Sequence, residues 1–237
     1  MELFIVIAIV FFLAFFAESI LGFGGLIISF TILSFFIDTK DMIFLGLYAA
    51  TIASIFVVIT DYKSFSRKVF LQMFPIALIG TVIGVFLFSS SSNLILLKVF
   101  AVFLILVALK SIFFDTITFK SSMLQKSILF IGGVLQGMYG TGGPFSVVAI
   151  KDRFRHKSEL RTTMAVFFIV FNSIRAIQLT IQNSFDFSII SQFWWLLFPI
   201  AVAIFIGYKV HVNVPENSFK KIVNWVILVA AIVLLLK

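Results

Sequence analysis

Long apolar runs, separated by short polar connections, make up most of the chain. They extend roughly over 3 to 21, 26 to 37, 42 to 60, 69 to 88, 93 to 114, 124 to 139, 144 to 150, 160 to 181, 190 to 208 and 218 to 236. Several reach the roughly 20 residues that one helix needs to cross the hydrocarbon of a bilayer. The pattern predicts an all-α polytopic membrane protein. The serines at 89 to 92 and the stretch from Asp115 to Ser122 read as loops, the latter joining two halves. The first run opens Met-Glu, with no basic segment before it and no small-residue cleavage site after it, and is expected to be a retained helix.

Two of these runs are interrupted by the same pattern. Gly22-Phe23-Gly24-Gly25 recurs as Gly140-Thr141-Gly142-Gly143, 118 positions later in a chain of 237 residues. Glycine weakens helix interiors and adopts backbone conformations that other residues avoid, so a cluster inside a membrane-length run marks a special backbone. One such cluster is explained by close helix crossing, which small residues permit in membranes. Two in matched positions point instead to a transporter's substrate site, where half-helix ends meet.

Lysines and arginines supply the topology. Fourteen of the 18 lie in four connections: Lys63, Arg67, Lys68; Lys110, Lys120, Lys126; Lys151, Arg153, Arg155, Lys157, Arg161; and Lys209, Lys220, Lys221. The positive-inside rule puts all four in the cytoplasm. From 126 to 151 the chain must then cross an even number of times, which a short hairpin turning at Gly140 to Gly143 satisfies. The run from 3 to 37, broken at Gly22 to Gly25, is expected to fold back likewise. Repeat one (1–118) then starts outside and repeat two (119–237) inside. The expected architecture is two inverted repeats, each a broken helical hairpin plus three transmembrane helices, with both termini outside the cytoplasmic membrane. Pro75-Ile76-Ala77 and Pro199-Ile200-Ala201 recur in the same order along the two halves.

Composition narrows the function. With 62% hydrophobic and 12% charged residues, the chain has too little polar surface for a soluble globule of its size. The net charge of +8 sits in the connections and reports orientation, so nucleic acid is not an expected partner. There are no cysteines, and His156 and His211 lie beside loop lysines, so no metal and no cofactor is expected. The sequence lacks a Ser/His/Asp set and a nucleotide loop, so an enzyme is not expected either. The expected partners are a small anion and the lipid bilayer, with a homodimer as the one assembly considered.

The chemistry suits an anion. A helix starting after Gly24-Gly25 or Gly142-Gly143 presents unpaired N–H groups and the positive end of its dipole at the break. Pro144 fits the first turn of such a helix, and Thr141 adds a hydroxyl donor. Substrate-binding candidates are therefore Gly22, Gly24, Gly25, Gly140, Thr141, Gly142 and Gly143. Asn172 and Arg175 join them, sharing a helix face with Gln178. Two readings stand for Arg175: it faces a cavity and forks onto two oxygens, or it snorkels to the outer interface. Glu18 lies four positions before Gly22, as Gln136 does before Gly140. Glu18 is a candidate for proton coupling, or else a structural partner of Arg175. Lys98, Thr51, Ser54 and Ser173 are lesser candidates.

At its glycine breaks the chain resembles the TauE/SafE family, the sulfite exporter and toluene-sulfonate uptake permease group, whose members carry a Gly-x-Gly-Gly-Gly motif near the start of each half. The matching residues are Gly22, Gly24, Gly25, Gly140, Gly142 and Gly143; Leu26 and Pro144 replace the family's third consecutive glycine. The resemblance implies a secondary transporter of sulfite, an organosulfonate or a related anion. An anion channel on the same scaffold and a membrane assembly factor are the rival readings.

Overall fold

The computed structural model describes residues 2–21, 23–33, 36–37, 39–90, 121–181 and 191–213, with scattered helical positions within 98–113 and 225–236. The described residues form helices α1 (Glu2–Leu21), α2 (Gly25–Leu33), α3 (Thr39–Asp61), α4 (Arg67–Ser90), α5 (Ser122–Tyr139), α6 (Gly143–Ile150), α7 (Lys157–Ile181) and α8 (Leu197–Asn213), with no strand among them. Among the described residues, three stretches are long and apolar enough to cross a membrane: Phe44–Ser64, Arg67–Phe88 and Lys157–Ile181. Their outward faces carry large apolar side chains such as Ile59, Phe86 and Ile177, as a lipid-facing surface requires.

Both apolar runs that contain the glycine patterns are interrupted, after Leu21 and after Tyr139. In each, a long arm of 20 or 18 residues is followed by a short arm of 9 or 8. At 1.5 Å per residue the short arms are about 12 to 14 Å long, less than half of a hydrocarbon layer. The short arms pack back on the long ones, α2 on α1 and α6 on α5. For the second pair the return is fixed at its far end, where Arg153, just past α6, donates to Gln125 in the first turn of α5 at 3.1 Å and to Gln72 of α4 at 3.0 Å.

The remaining packing pairs α4 with α5, α1 with α8, and α3 with α7. Backbones approach closely at two of these crossings. A Cβ added at Gly80 or Gly84 of α4 would lie 2.4 Å from the Phe130 carbonyl or 2.0 Å from that of Val134, and one added at Gly133 or Gly137 of α5 would lie 2.4 Å from Ala77 O or 2.1 Å from Thr81 O. The four glycines, spaced by four on each helix, interlock as small residues do in membrane crossings. Where α1 meets α8, Gly207 lies against Ser19, whose hydroxyl donates to Ile204 O at 3.0 Å.

Three of the basic connections gather at one end of the bundle. Lys63 and Ser66 share a surface groove with His156 and Lys157, and the Ser66 N–H bonds to Thr163 Oγ1 at 3.1 Å. The serine run is read differently by the structure at its start: α4 continues through Ser89 and Ser90, the helix ending two residues later than composition suggested. Ser91 and Ser92 and the junction between the halves near residue 118 lie outside the described residues, as do Gly22 and residues 182–190.

Candidate functional site

The two breaks touch. A Cβ added at Gly143 would sit 3.1 Å from Phe23 Cβ, and one added at Gly140 would sit 3.3 Å from Leu26 Cδ1 and 3.2 Å from Leu47 Cδ2. Between them lies a cavity with about 10 Å³ of free volume, lined by Glu18 and Gly24 from one break, Gly140, Thr141 and Gly143 from the other, and Asn172 of α7. That volume holds about one water molecule. In this conformation the breaks are closed on one another.

Among the described residues, the left-handed glycines of the two breaks are Gly24, with φ of 104°, and Gly140, with φ of 73°. Gly140 ends α5 in the left-handed cap geometry that glycine favours, its N–H returning to Gln136 O at 2.9 Å. Gly142 has an ordinary φ of −69° and caps the start of α6, with Pro144 in the first turn. Its need for glycine is spatial, because a Cβ there would meet Gly132 O at 2.0 Å.

Each break is also braced by the side chain one turn before its first glycine. Glu18 Oε2 accepts from the Gly25 N–H at 2.7 Å, and Gln136 Oε1 accepts from the Gly142 N–H at 3.0 Å. Each brace therefore occupies one of the unpaired donors that a helix start exposes. The second brace dictates the amides around it. Because only an oxygen can face the Gly142 N–H, Gln136 must turn its Nε2 outward, where it donates to Asn172 Oδ1 at 2.9 Å. Among the described residues, Asn172 is then left with its Nδ2 as a donor without a partner, and Thr141 Oγ1 is likewise unpartnered. Both residues are buried and both line the cavity. An unmet buried donor costs about 1–3 kcal/mol, which a ligand with acceptor oxygens recovers.

Of the residues singled out by sequence, the cavity thus brings together Glu18, Gly24, Gly140, Thr141, Gly143 and Asn172. Gly25 and Gly142 stand behind it as backbone donors to the braces, and Gly22 lies outside the described residues. Arg175 is buried, at 1% exposed. Its guanidinium packs over the Phe88 ring with Cζ 4.7 Å from the centroid, bonds to Gln178, and reaches Met138 O at 3.4 Å, next to the break rather than on the cavity lining.

Sequence reasoning missed Arg161, which it counted as a topological charge of the basic loop. The side chain is 1% exposed and contributes to a second small cavity that also touches Glu18 and Phe168. The available signal was its spacing: Arg161, Phe168 and Arg175 are separated by seven and seven, with Asn172 between the last two, which puts all four on one helix face.

Among known proteins, the family described as Sulfite exporter TauE/SafE matches residues 7–234. No curated protein and no solved structure gives a match. The matched span takes in both breaks and nearly the whole chain, and the protein belongs to the TauE/SafE family of sulfite exporters.

Proposed function

We propose that the protein is a secondary transporter of a small sulfur oxyanion, sulfite or an organosulfonate, and that the anion sits at the second break. The observation that carries this reading is the pair of unpartnered donors, Thr141 Oγ1 and Asn172 Nδ2, on a cavity enclosed between two interrupted helices. The positive end of the α6 dipole adds to them, and the neutral amide of Gln136 leaves that field uncancelled. Arg175, held on Met138 O at the end of α5, contributes positive charge from behind the turn.

Glu18 supplies the coupling. Its carboxylate lines the same cavity, and an ionised carboxylate repels an anion at short range in a dehydrated site. A proton on Glu18 therefore accompanies the anion. As the carboxyl gains that proton its hold on the Gly25 N–H weakens, since a charged acceptor makes the stronger bond. The first break loosens when the second is loaded.

Alternating access follows from rocking of one half against the other. The pairing of α4 with α5 and of α1 with α8 supports inverted repeats, because each pair joins the broken hairpin of one half to the same helix of the other half. The basic connections at one end of the bundle support a cytoplasmic assignment for that end. The two halves then comprise 1–118 and 119–237, in a multi-pass protein of the cytoplasmic membrane with its termini outside. A cavity of about 10 Å³ is too small for sulfite, so the closed form is an empty state and the breaks separate to admit the ion.

The test is sulfite flux into proteoliposomes. The expected result is saturable uptake, stimulated by an inward proton gradient and competed by organosulfonates. Flux that is linear in concentration and follows only the electrical gradient contradicts it and indicates a channel.

A further inference from the structure

On the basic-connection side of the break cavity, α7 presents a second buried cation. Arg161 is 1% exposed, and none of its Nε, Nη1 and Nη2 atoms has a hydrogen-bond partner among the described residues. One face of the guanidinium packs on the Tyr208 ring, Cζ lying 5.1 Å from the centroid, and the charge of Asp61 acts on it without a hydrogen bond. Ring contact leaves the in-plane donors unmet, and a buried guanidinium with idle donors is among the least tolerable groups in a protein interior. The adjoining cavity has about 10 Å³ of free volume and is lined by Glu18, Ser19, Ser54, Phe168 and Arg161. The Ser54 hydroxyl on it is also unpartnered. Glu18 and Phe168 line this cavity and the break cavity alike.

We propose that Arg161 and Ser54 form a second binding station for a small oxyanion, separated from the station at the second break by Phe168 and Glu18. The ligand class follows from the donor set. A guanidinium offers a planar fork of N–H groups that matches two oxygens of one anion, and a hydroxyl takes a third. Sulfite and the sulfonate group present three such oxygens. Arg161 and Asn172 are eleven residues apart on one face of α7, about 16 Å along the helix axis, so the stations are distinct. An anion held at Arg161 passes to the break cavity when Glu18, which lines both, is protonated. This role in transport rests on the reading of the break cavity as the transport site; binding at Arg161 does not.

The experiment is calorimetric titration of the purified protein with sulfite, for the wild type, Arg161→Gln, Arg161→Lys and the pair Thr141→Val with Asn172→Ala, each checked for folding by its melting temperature. The wild type is expected to bind two sulfite ions. Arg161→Gln loses one and keeps the other, whereas Arg161→Lys, which keeps the charge without the fork, keeps both sites with one weakened about tenfold. The Thr141/Asn172 pair loses the complementary site. A folded Arg161→Gln or Arg161→Lys protein that binds two sulfite ions with wild-type affinities overturns the second station and leaves the break-cavity reading standing. Two sites retained in the Thr141/Asn172 pair overturn the break-cavity reading and leave the station. A wild type that binds no sulfite overturns both.

Discussion

The two breaks share a design and differ in one functional group. In each, a side chain one turn before the glycines reaches past the turn to hold a backbone N–H at the start of the short helix. At the first break that side chain is the carboxylate of Glu18, which fills the anion seat from within the chain; at the second it is the amide of Gln136, which keeps the turn in shape and adds no charge. In the proposed function the first break therefore rejects a second anion while Glu18 is ionised, and the second accepts one. The contrast teaches that a pair of matched half-helix ends need not be two equivalent anion sites: one can receive the anion and the other the proton.

The largest predicted effect comes from removing the room that the second turn requires. Gly142→Val puts carbon 2.0 Å from Gly132 O, so the short helix can no longer lie against the long one. Uptake in proteoliposomes is expected to vanish and the melting temperature to fall, while flux at wild-type level would show that the second break is dispensable. Next is Gln136→Glu, which makes the second break resemble the first. A second carboxylate then stands beside Asn172 at the edge of the cavity that Glu18 lines, and sulfite uptake is expected to drop by about 100-fold, the equivalent of roughly 2.7 kcal/mol. A drop of less than about threefold would mean that the charge of the brace is irrelevant. Thr141→Val removes a single donor without changing the shape, and a loss of about tenfold in sulfite affinity is expected by titration.

Glu18→Gln makes the first break resemble the second and tests coupling rather than affinity. In the wild type, uptake is expected to rise as pH falls, because in the proposed mechanism the anion enters with a protonated carboxyl. In the variant that rise disappears, whereas sulfite exchange at zero gradient stays within about twofold of wild type. A variant that keeps its pH dependence removes Glu18 from the coupling. The smallest effect is expected from Gly24→Ala. The added methyl meets nothing within 4 Å, so only the left-handed backbone is strained, and about 1–2 kcal/mol of stability is lost in thermal unfolding, with transport retained.

Much of this arrangement is legible in the sequence because glycine punctuates an apolar run unambiguously. The interruptions after Leu21 and Tyr139 and the burial of Asn172 follow from the Gly-x-Gly-Gly patterns and from the polar residues near them, whereas for Arg175 the sequence left burial and snorkelling open and the structure buries it. The equal offset of Glu18 and Gln136 from their glycines is visible too, but the bracing role is not. It depends on the chain folding back so that residues six or seven apart meet, a contact no helical period predicts. Arg161 was hidden for a different reason. A cation beside a basic loop reads as topology, and only the packing of α7 against α3 turns its side chain inward. Arg175 shows the limit of counting polar neighbours: Gln178 does bond to it, yet Met138 O and Phe88, from distant parts of the chain, decide where the charge rests.

The central claim, that the anion occupies the space between the two breaks, is tested most directly by a cysteine placed on that cavity. The chain contains no cysteine, and Ala50 of α3 lines the cavity without taking part in either brace. In Ala50→Cys, labelling by a small charged thiol reagent is expected during turnover and is expected to slow at least fivefold when sulfite saturates transport. Labelling at an unchanged rate in saturating sulfite, in a variant that still transports, would place the anion elsewhere and contradict the account.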